Sequence, residues 1–339
     1  MTRLVSNPPN PWSSRHVELL GEPPPAALQV YEEEAKSLVT ENDSPDVDYR
    51  FGVNPYRGCF HGCAYCYARP SHQFLGWGAG TDFERRIVVK TNAAALLERH
   101  FAKKSWTGEL VCFSGVTDAY QPLEASYGIT RACLEVCRAH RQPVAVVTKG
   151  ALVRRDADLL GALAREAFAR VEVSVPFADA ELAAAIEPAV APPAIRLDAI
   201  RVLAEAGVSV GVSVSPVIPG LNDAQIPAIL EAARQAGAER AWMILLRLPD
   251  EVAPVFEERL REAVPLRADK VLSAVREMRG GELYRGGFGR RMEGAGPRWQ
   301  AIASVFETTC RKLGMSMGRP ETKTSTFRRP DPQGRLFGS

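Results

Sequence analysis

Apolar runs of four to seven residues recur through the middle of the chain, at 110–113, 144–147, 171–175, 208–214 and 241–246. Between them, apolar residues return at helical spacing over 93–103, 127–140, 156–168, 195–206 and 224–236. Gly207 and Gly237 stand just past the last two of these stretches, where a left-handed residue commonly ends a helix. Strand and helix alternating at this interval predict a parallel α/β architecture. A further strand near 52–56 brings the total to about six units, short of a closed eightfold barrel.

Two predicted strands carry a second pattern. In Val171-Glu-Val-Ser-Val175 and Val208-Ser-Val-Gly-Val-Ser-Val-Ser215 every second residue is valine, with Glu172, Ser174, Ser209, Gly211, Ser213 and Ser215 between. Strand side chains alternate between faces, so the valines are expected against helices and the small polar groups opposite. A closed barrel fills its lumen with bulky branched residues, whereas serine and glycine there suggest an opening for a polar ligand. An antiparallel sheet with one wetted face would alternate similarly, but it conflicts with the intervening helices.

The flanks differ from this middle. Residues 1–50 are proline-rich and predict an N-terminal extension around the body, with a poorly ordered start and one helix near 30–38. Residues 51–248 hold the strand–helix units. Residues 249–339 predict a C-terminal helical region with helices at 255–263, 267–278 and 299–313, then a flexible basic tail from Arg319. Between the last two helices lies a glycine- and arginine-rich stretch, 279–293, with Arg285, Arg290 and Arg291. It reads either as an ordered loop or as a nucleic-acid grip working through phosphate contacts and stacking.

Composition narrows the classes. The 339 residues are 46% hydrophobic and 24% charged with a net charge of +2, which gives no field implying a nucleic-acid partner. The chain opens without an apolar signal core and has no apolar run long enough to span a bilayer, so a cytoplasmic protein without membrane contact is expected. Seven cysteines, an odd count, argue against a disulfide framework. Cys133 and Cys137 share a helical stripe with Ile129 and are expected in the core, while Cys310 is isolated and expected to be structural. Cys112 falls in a predicted strand near other candidate residues.

Cys59, Cys63 and Cys66 are the sharpest chemical signal. They lie in Arg-Gly-Cys-Phe-His-Gly-Cys-Ala-Tyr-Cys-Tyr, offering three thiolates to one centre and withholding a fourth. Thiolates suit iron–sulfur clusters, and a cluster held by three has one iron free to bind something else. Zinc with a fourth ligand is the alternative. His61 lies too close in sequence to two of the cysteines to join them on one ion, and no later ligand pair of the usual zinc spacing follows.

The segment from Cys59 to Cys66, with Tyr65 directly before the last cysteine, resembles the radical S-adenosylmethionine (SAM) superfamily motif. Further runs resemble that superfamily's spore photoproduct lyase-like branch: 42–46 (Asn-Asp-Ser-Pro-Asp), 54–59, 114–122, 147–149 and 216–223. The resemblance implies a partial (β/α)6 TIM-like barrel, a [4Fe-4S] cluster on the three cysteines, and SAM on the open iron. It implies cofactor contacts at Thr117, Asp118, Lys149 and Ser174, with Tyr65 near the adenine. It also implies reductive cleavage of SAM to a 5′-deoxyadenosyl radical and a reductant such as flavodoxin or ferredoxin. Where the lyase has a hydrogen-donating cysteine this chain has Gly115, a departure that leaves Cys112 as the candidate donor and argues against thymine-dimer reversal. A DNA-lesion lyase and a non-catalytic electron-transfer or sensing protein are the rival functions; the substrate is not legible, with nucleic acid one possibility.

Overall fold

The computed structural model describes residues 27–113, 115–249, 251–318 and 325–329. Its strands are β1 (Gln29–Glu33), β2 (Val39–Glu41), β3 (Phe51–Val53), β4 (Tyr56–Arg57), β5 (Arg86–Lys90), β6 (Val111–Phe113), β7 (Val144–Thr148), β8 (Ala169–Ser174), β9 (Ser209–Val217) and β10 (Arg240–Leu245). Seven form one sheet in the order β10-β9-β8-β7-β6-β3-β2. Within it β3 and β6 to β10 run parallel, and β2 joins β3 antiparallel. The six parallel strands are those the apolar runs predicted, and they make a partial (β/α)6 barrel. Its open edges are β10 and β2.

The valine alternation sorts the two sides of the sheet as expected. Val171, Val173, Val210, Val212 and Val214 pack in the main core with Leu160 and Leu163 of the helix Ala157–Glu166 and Ile200 and Leu203 of the helix Pro193–Glu205. The opposite face is polar. Glu172 pairs with Arg240 at 3.0 Å in its lower part, where a Cβ on Gly211 would lie 1.8 Å from the Glu172 carboxylate. Cys133 and Cys137 are fully buried on the helix Ile129–Ala139, and Cys310 is buried in the same core.

The N-terminal segment departs from expectation. The helix predicted near 30–38 is replaced by β1, which pairs parallel with β5 in a second, three-stranded sheet, β1-β5-β4. Its residues Gln29 to Glu33 are almost wholly exposed, so no buried helical stripe stabilises a helix, and the free edge of β5 supplies backbone partners instead. Only Ala35 and Leu38 beyond it are anchored in the core.

The tail also departs in part. Arg328 donates its backbone N–H to His140, Phe327 stacks on the His140 ring at 5.8 Å, and Arg329 donates to the carbonyls of Lys103 and Trp106. Residues 325–329 are therefore pinned to the barrel's helices. The expected poorly ordered start, 1–26, and the remainder of the tail lie outside the described residues. Among the described residues no helix is long and apolar enough to cross a membrane.

Candidate active site

A cavity of about 530 Å³ opens at the carboxyl ends of the parallel strands. This is where side chains from several strand ends converge in barrels of this kind. Cys59, Cys63 and Cys66 line it, together with Tyr65, Thr117, Asp118, Lys149 and Ser174. Eight of the nine residues marked out in the sequence therefore meet at one place.

Cys112 does not. It alternates with Val111 and Phe113, whose side chains enter the helix-side core, so it faces the lumen, where it packs with Leu110 and Ala145. It is 1% exposed and lies below the cavity wall rather than in it. Cys112, the candidate hydrogen donor, thus stands one layer beneath the residues that line the cavity.

The cysteine-bearing loop is gripped from four sides. Its entry is Gly58, at φ +75°, whose carbonyl accepts from the Thr117 hydroxyl at 2.6 Å. Phe60 N–H donates to Gln121, and Cys59 N–H to the Phe83 carbonyl at 2.9 Å. A Cβ on Gly58 would meet that Phe83 oxygen at 2.7 Å, so glycine is required by both conformation and space.

The second grip is a buried charge triad. Glu84, 1% exposed, accepts from Arg69 at 2.8 Å and from Arg259 at 2.5 Å. Both arginines also donate to the loop's carbonyls, Arg69 to Cys63 at 2.8 Å and Arg259 to Gly62 at 2.7 Å. Arg259 comes from the helix Val252–Ala263, which lies beyond β10 in the chain.

The third grip involves Tyr65, whose hydroxyl donates to buried Glu187; Glu187 in turn pairs with Arg196 at 2.6 Å. Glu187 follows the helix Ala180–Ile186, which is capped by the Asp179 carboxylate. Backbone bonds Ala64 N–H to Ile186 and Ala189 N–H to His61 complete this side. The Tyr65 hydroxyl is therefore committed to the protein, while the residue lines the cavity.

The fourth grip is Asp118. Its carboxylate accepts from the Thr148 hydroxyl at 2.5 Å and from the backbone N–H groups of Lys149 at 2.7 Å and Tyr120 at 2.9 Å, and His61 lies 3.4 Å away. Burial alone would raise its pKa; the His61 charge and these hydrogen bonds overcome that and hold it at about 2. Thr117 and Asp118 were expected to touch the cofactor. Both line the cavity, and their hydrogen bonds to Gly58, to His61 and to the Lys149 turn also place the loop.

The donor set fits an iron–sulfur cluster. All three thiols are free, and burial pushes each above the ordinary cysteine value, so three bare thiolates would be costly here. Bound iron removes that cost. Among the described residues no three His, Cys, Asp or Glu side chains are grouped tightly enough to hold a single metal ion.

Lys149 points its ammonium toward the Tyr65 ring, 5.5 Å from the centroid, and pairs with no carboxylate among the described residues. Gly115, at φ +127°, also lines the cavity. Sequence reasoning missed Tyr67 and Arg247. Tyr67 follows Cys66 directly, and Arg247 follows the sixth parallel strand, so strand-end position was the signal for the latter. The Arg247 guanidinium lies 5.0 Å from the centroid of the Tyr67 ring.

The 279–293 stretch folds as an ordered strap. Arg279, 3% exposed, donates to the carbonyls of Leu246, Glu293 and Arg291 at 2.8, 2.9 and 3.1 Å. Arg291 pairs with Asp46 at 2.5 Å. Two arginines of the supposed nucleic-acid grip therefore serve the fold, while Arg285 and Arg290 remain exposed.

Comparison with known proteins agrees with this geometry. The family model for the radical SAM superfamily matches residues 53–233. The chain belongs to that superfamily, enzymes that use a [4Fe-4S] cluster and SAM and draw on a reductant. An uncharacterised protein of Mycobacterium tuberculosis, Rv2578c, is 36% identical over 241 residues, covering 70% of this chain and 68% of its own. Another, MJ0683 of Methanocaldococcus jannaschii, is 30% identical over 58% of this chain and 71% of its own. Spore photoproduct lyase complexed with dinucleoside spore photoproduct superposes with a TM-score of 0.62 at 17% identity, over 85% of this chain and 81% of that one. At that identity the likeness speaks for the fold.

Proposed function

We propose that Cys59, Cys63 and Cys66 hold a [4Fe-4S] cluster whose fourth iron takes SAM, and that this cavity initiates hydrogen abstraction from a substrate enclosed with it. When bound and reduced, the cluster supplies the electron that splits the sulfonium carbon–sulfur bond and releases a 5′-deoxyadenosyl radical. The chain's own residues position and shield. Lys149 offers a cation to the carboxylate or ribose oxygens of SAM, and Ser174 a hydroxyl from the neighbouring strand end. Thr117, Asp118 and the Arg69–Glu84–Arg259 triad fix the loop, so the three sulfurs keep their relative places. The observation that carries this reading is the convergence of the three thiols and Lys149 on one cavity at the strand ends.

A reductant of the flavodoxin or ferredoxin type and a reducing cytoplasm suit the free thiols. Lesion reversal in the manner of the lyase is disfavoured by Gly115, which carries no sulfur, and by Cys112 lying beneath the cavity. The test is anaerobic reconstitution, reduction with dithionite and incubation with SAM. Formation of 5′-deoxyadenosine is expected; a reducible cluster that never cleaves SAM would leave an electron-transfer or sensing protein in its place.

A further inference from the structure

We propose that Arg247 is the oxyanion receptor of the substrate half of this cavity, so that the molecule acted on carries a carboxylate or phosphate. The inference rests on the radical SAM reading above and asks what the remaining cavity wall would recognise.

The argument is a balance of charge. Among the described residues lining the cavity, the side-chain carboxylate is that of Asp118, and its oxygens are taken up by His61, Thr148 and two backbone N–H groups. Three long cations face it: Lys149, Arg247 and Arg291. Arg291 is neutralised by Asp46. Lys149 lies beside Tyr65 and the cysteines, where the SAM carboxylate would neutralise it. Arg247 is left over.

Among the described residues no carboxylate bonds to it: Asp46 lies within electrostatic reach, but its oxygens are taken by Arg291 and the Gly289 N–H, so one anion serves two guanidiniums. The contacts of Arg247 are the Met292 sulfur, 3.5 Å from Nη1, and the Tyr67 ring. Its Nε is buried without a hydrogen-bond partner, and so is the hydroxyl of Ser215 on the same wall. A buried donor left unpaired is costly, and a guanidinium presents a rigid fork that matches carboxylate and phosphate oxygens. Tyr67 restrains that fork and, following Cys66 directly, ties it to the cluster loop. An anion held there would lie beside the radical source with its carbon skeleton turned into the cavity.

Calorimetric titration without oxygen, on reconstituted protein loaded with SAM, compares phenyl phosphate, benzoate and phenol as probes that share one ring. At least one anion is expected to bind tenfold or more tighter than phenol, and the tighter of the two identifies the class. Arg247→Met should abolish the preference and Arg247→Lys keep part of it, while Arg285→Ala, an exposed position outside the cavity, should leave it whole. Equal binding of the three probes by the unaltered protein, or no binding, overturns the proposal, as does a preference that survives in Arg247→Met. Should Arg247→Met fail to fold, the unaltered protein and Arg247→Lys still decide. Cleavage of SAM by the unaltered protein without any anion preference refutes the receptor alone; no cleavage at all refutes the reading beneath it.

Discussion

Lys149 brings an ammonium into a wall that provides it no carboxylate, beside three sulfurs and an aromatic ring. Its backbone is fixed through the bond from its N–H to Asp118, so the side chain starts from a defined point. A charge held this way is available to a ligand. Replacing it, Lys149→Met, removes one charge-assisted hydrogen bond worth about 1.5–3 kcal/mol, roughly a 10- to 100-fold loss of affinity for SAM. Iron and sulfide content should not change, because Lys149 holds none of the loop's carbonyls. Equilibrium binding of SAM to the reconstituted variant, beside its iron analysis, checks both halves of the expectation. Unaltered affinity would return Lys149 to an ordinary strand-end lysine. Its neighbour Asp118 illustrates how far residue-level reading reaches. Its place after the second parallel strand was legible, but its partners were not, since His61 and Thr148 lie 57 and 30 residues away in the chain.

At the scale of elements, the cysteine loop is short and irregular, and its shape is imposed from outside. Glu84 is central to that. It joins two arginines that also hold the carbonyls of Gly62 and Cys63, and all three side chains are nearly or wholly inaccessible to solvent. Removing one member of a buried charge set leaves the others uncompensated, typically costing about 3–5 kcal/mol. Glu84→Gln is expected to lower the unfolding midpoint and to reduce the iron retained after reconstitution, both read on the same preparation. A variant with full iron and an unchanged midpoint would mean that the loop keeps its shape unaided. None of this was visible in the sequence, where Glu84 lies 15 residues from Arg69 and 175 from Arg259. The strands were visible because periodicity is local: valine alternation in β8 and β9 reports which face is buried without any knowledge of partners. The segment Gln29 to Glu33 was misread for the same reason, since an exposed edge strand has no buried face to announce itself.

At the scale of the whole molecule, a six-stranded barrel leaves a side opening between β10 and β2, and the segments flanking the barrel on either side in sequence meet there. The segment after β2 supplies Pro45, Asp46 and Val47, which line a surface hollow with Trp242, Ile244 and Met292. From the other end, the strap bonds Leu245 N–H to Met292 and is fixed at its root by buried Arg279. Asp46 joins the two, accepting from the Gly289 N–H at 2.7 Å and pairing with Arg291. The 279–293 stretch therefore forms an ordered closure, and of its arginines Arg285 and Arg290 face solvent. Closure matters because a carbon radical is quenched by stray hydrogen donors unless the chamber excludes them. Asp46→Ala should free Gly289 and Arg291 while leaving Arg279 and the barrel intact. Trypsin should then cut after Arg285 and Arg290 several-fold faster than in the unaltered protein, with little change elsewhere. SAM cleavage without substrate should rise as solvent reaches the chamber. If neither proteolysis nor uncoupled cleavage changes, the strap is held by its root alone and Asp46 contributes nothing to the seal.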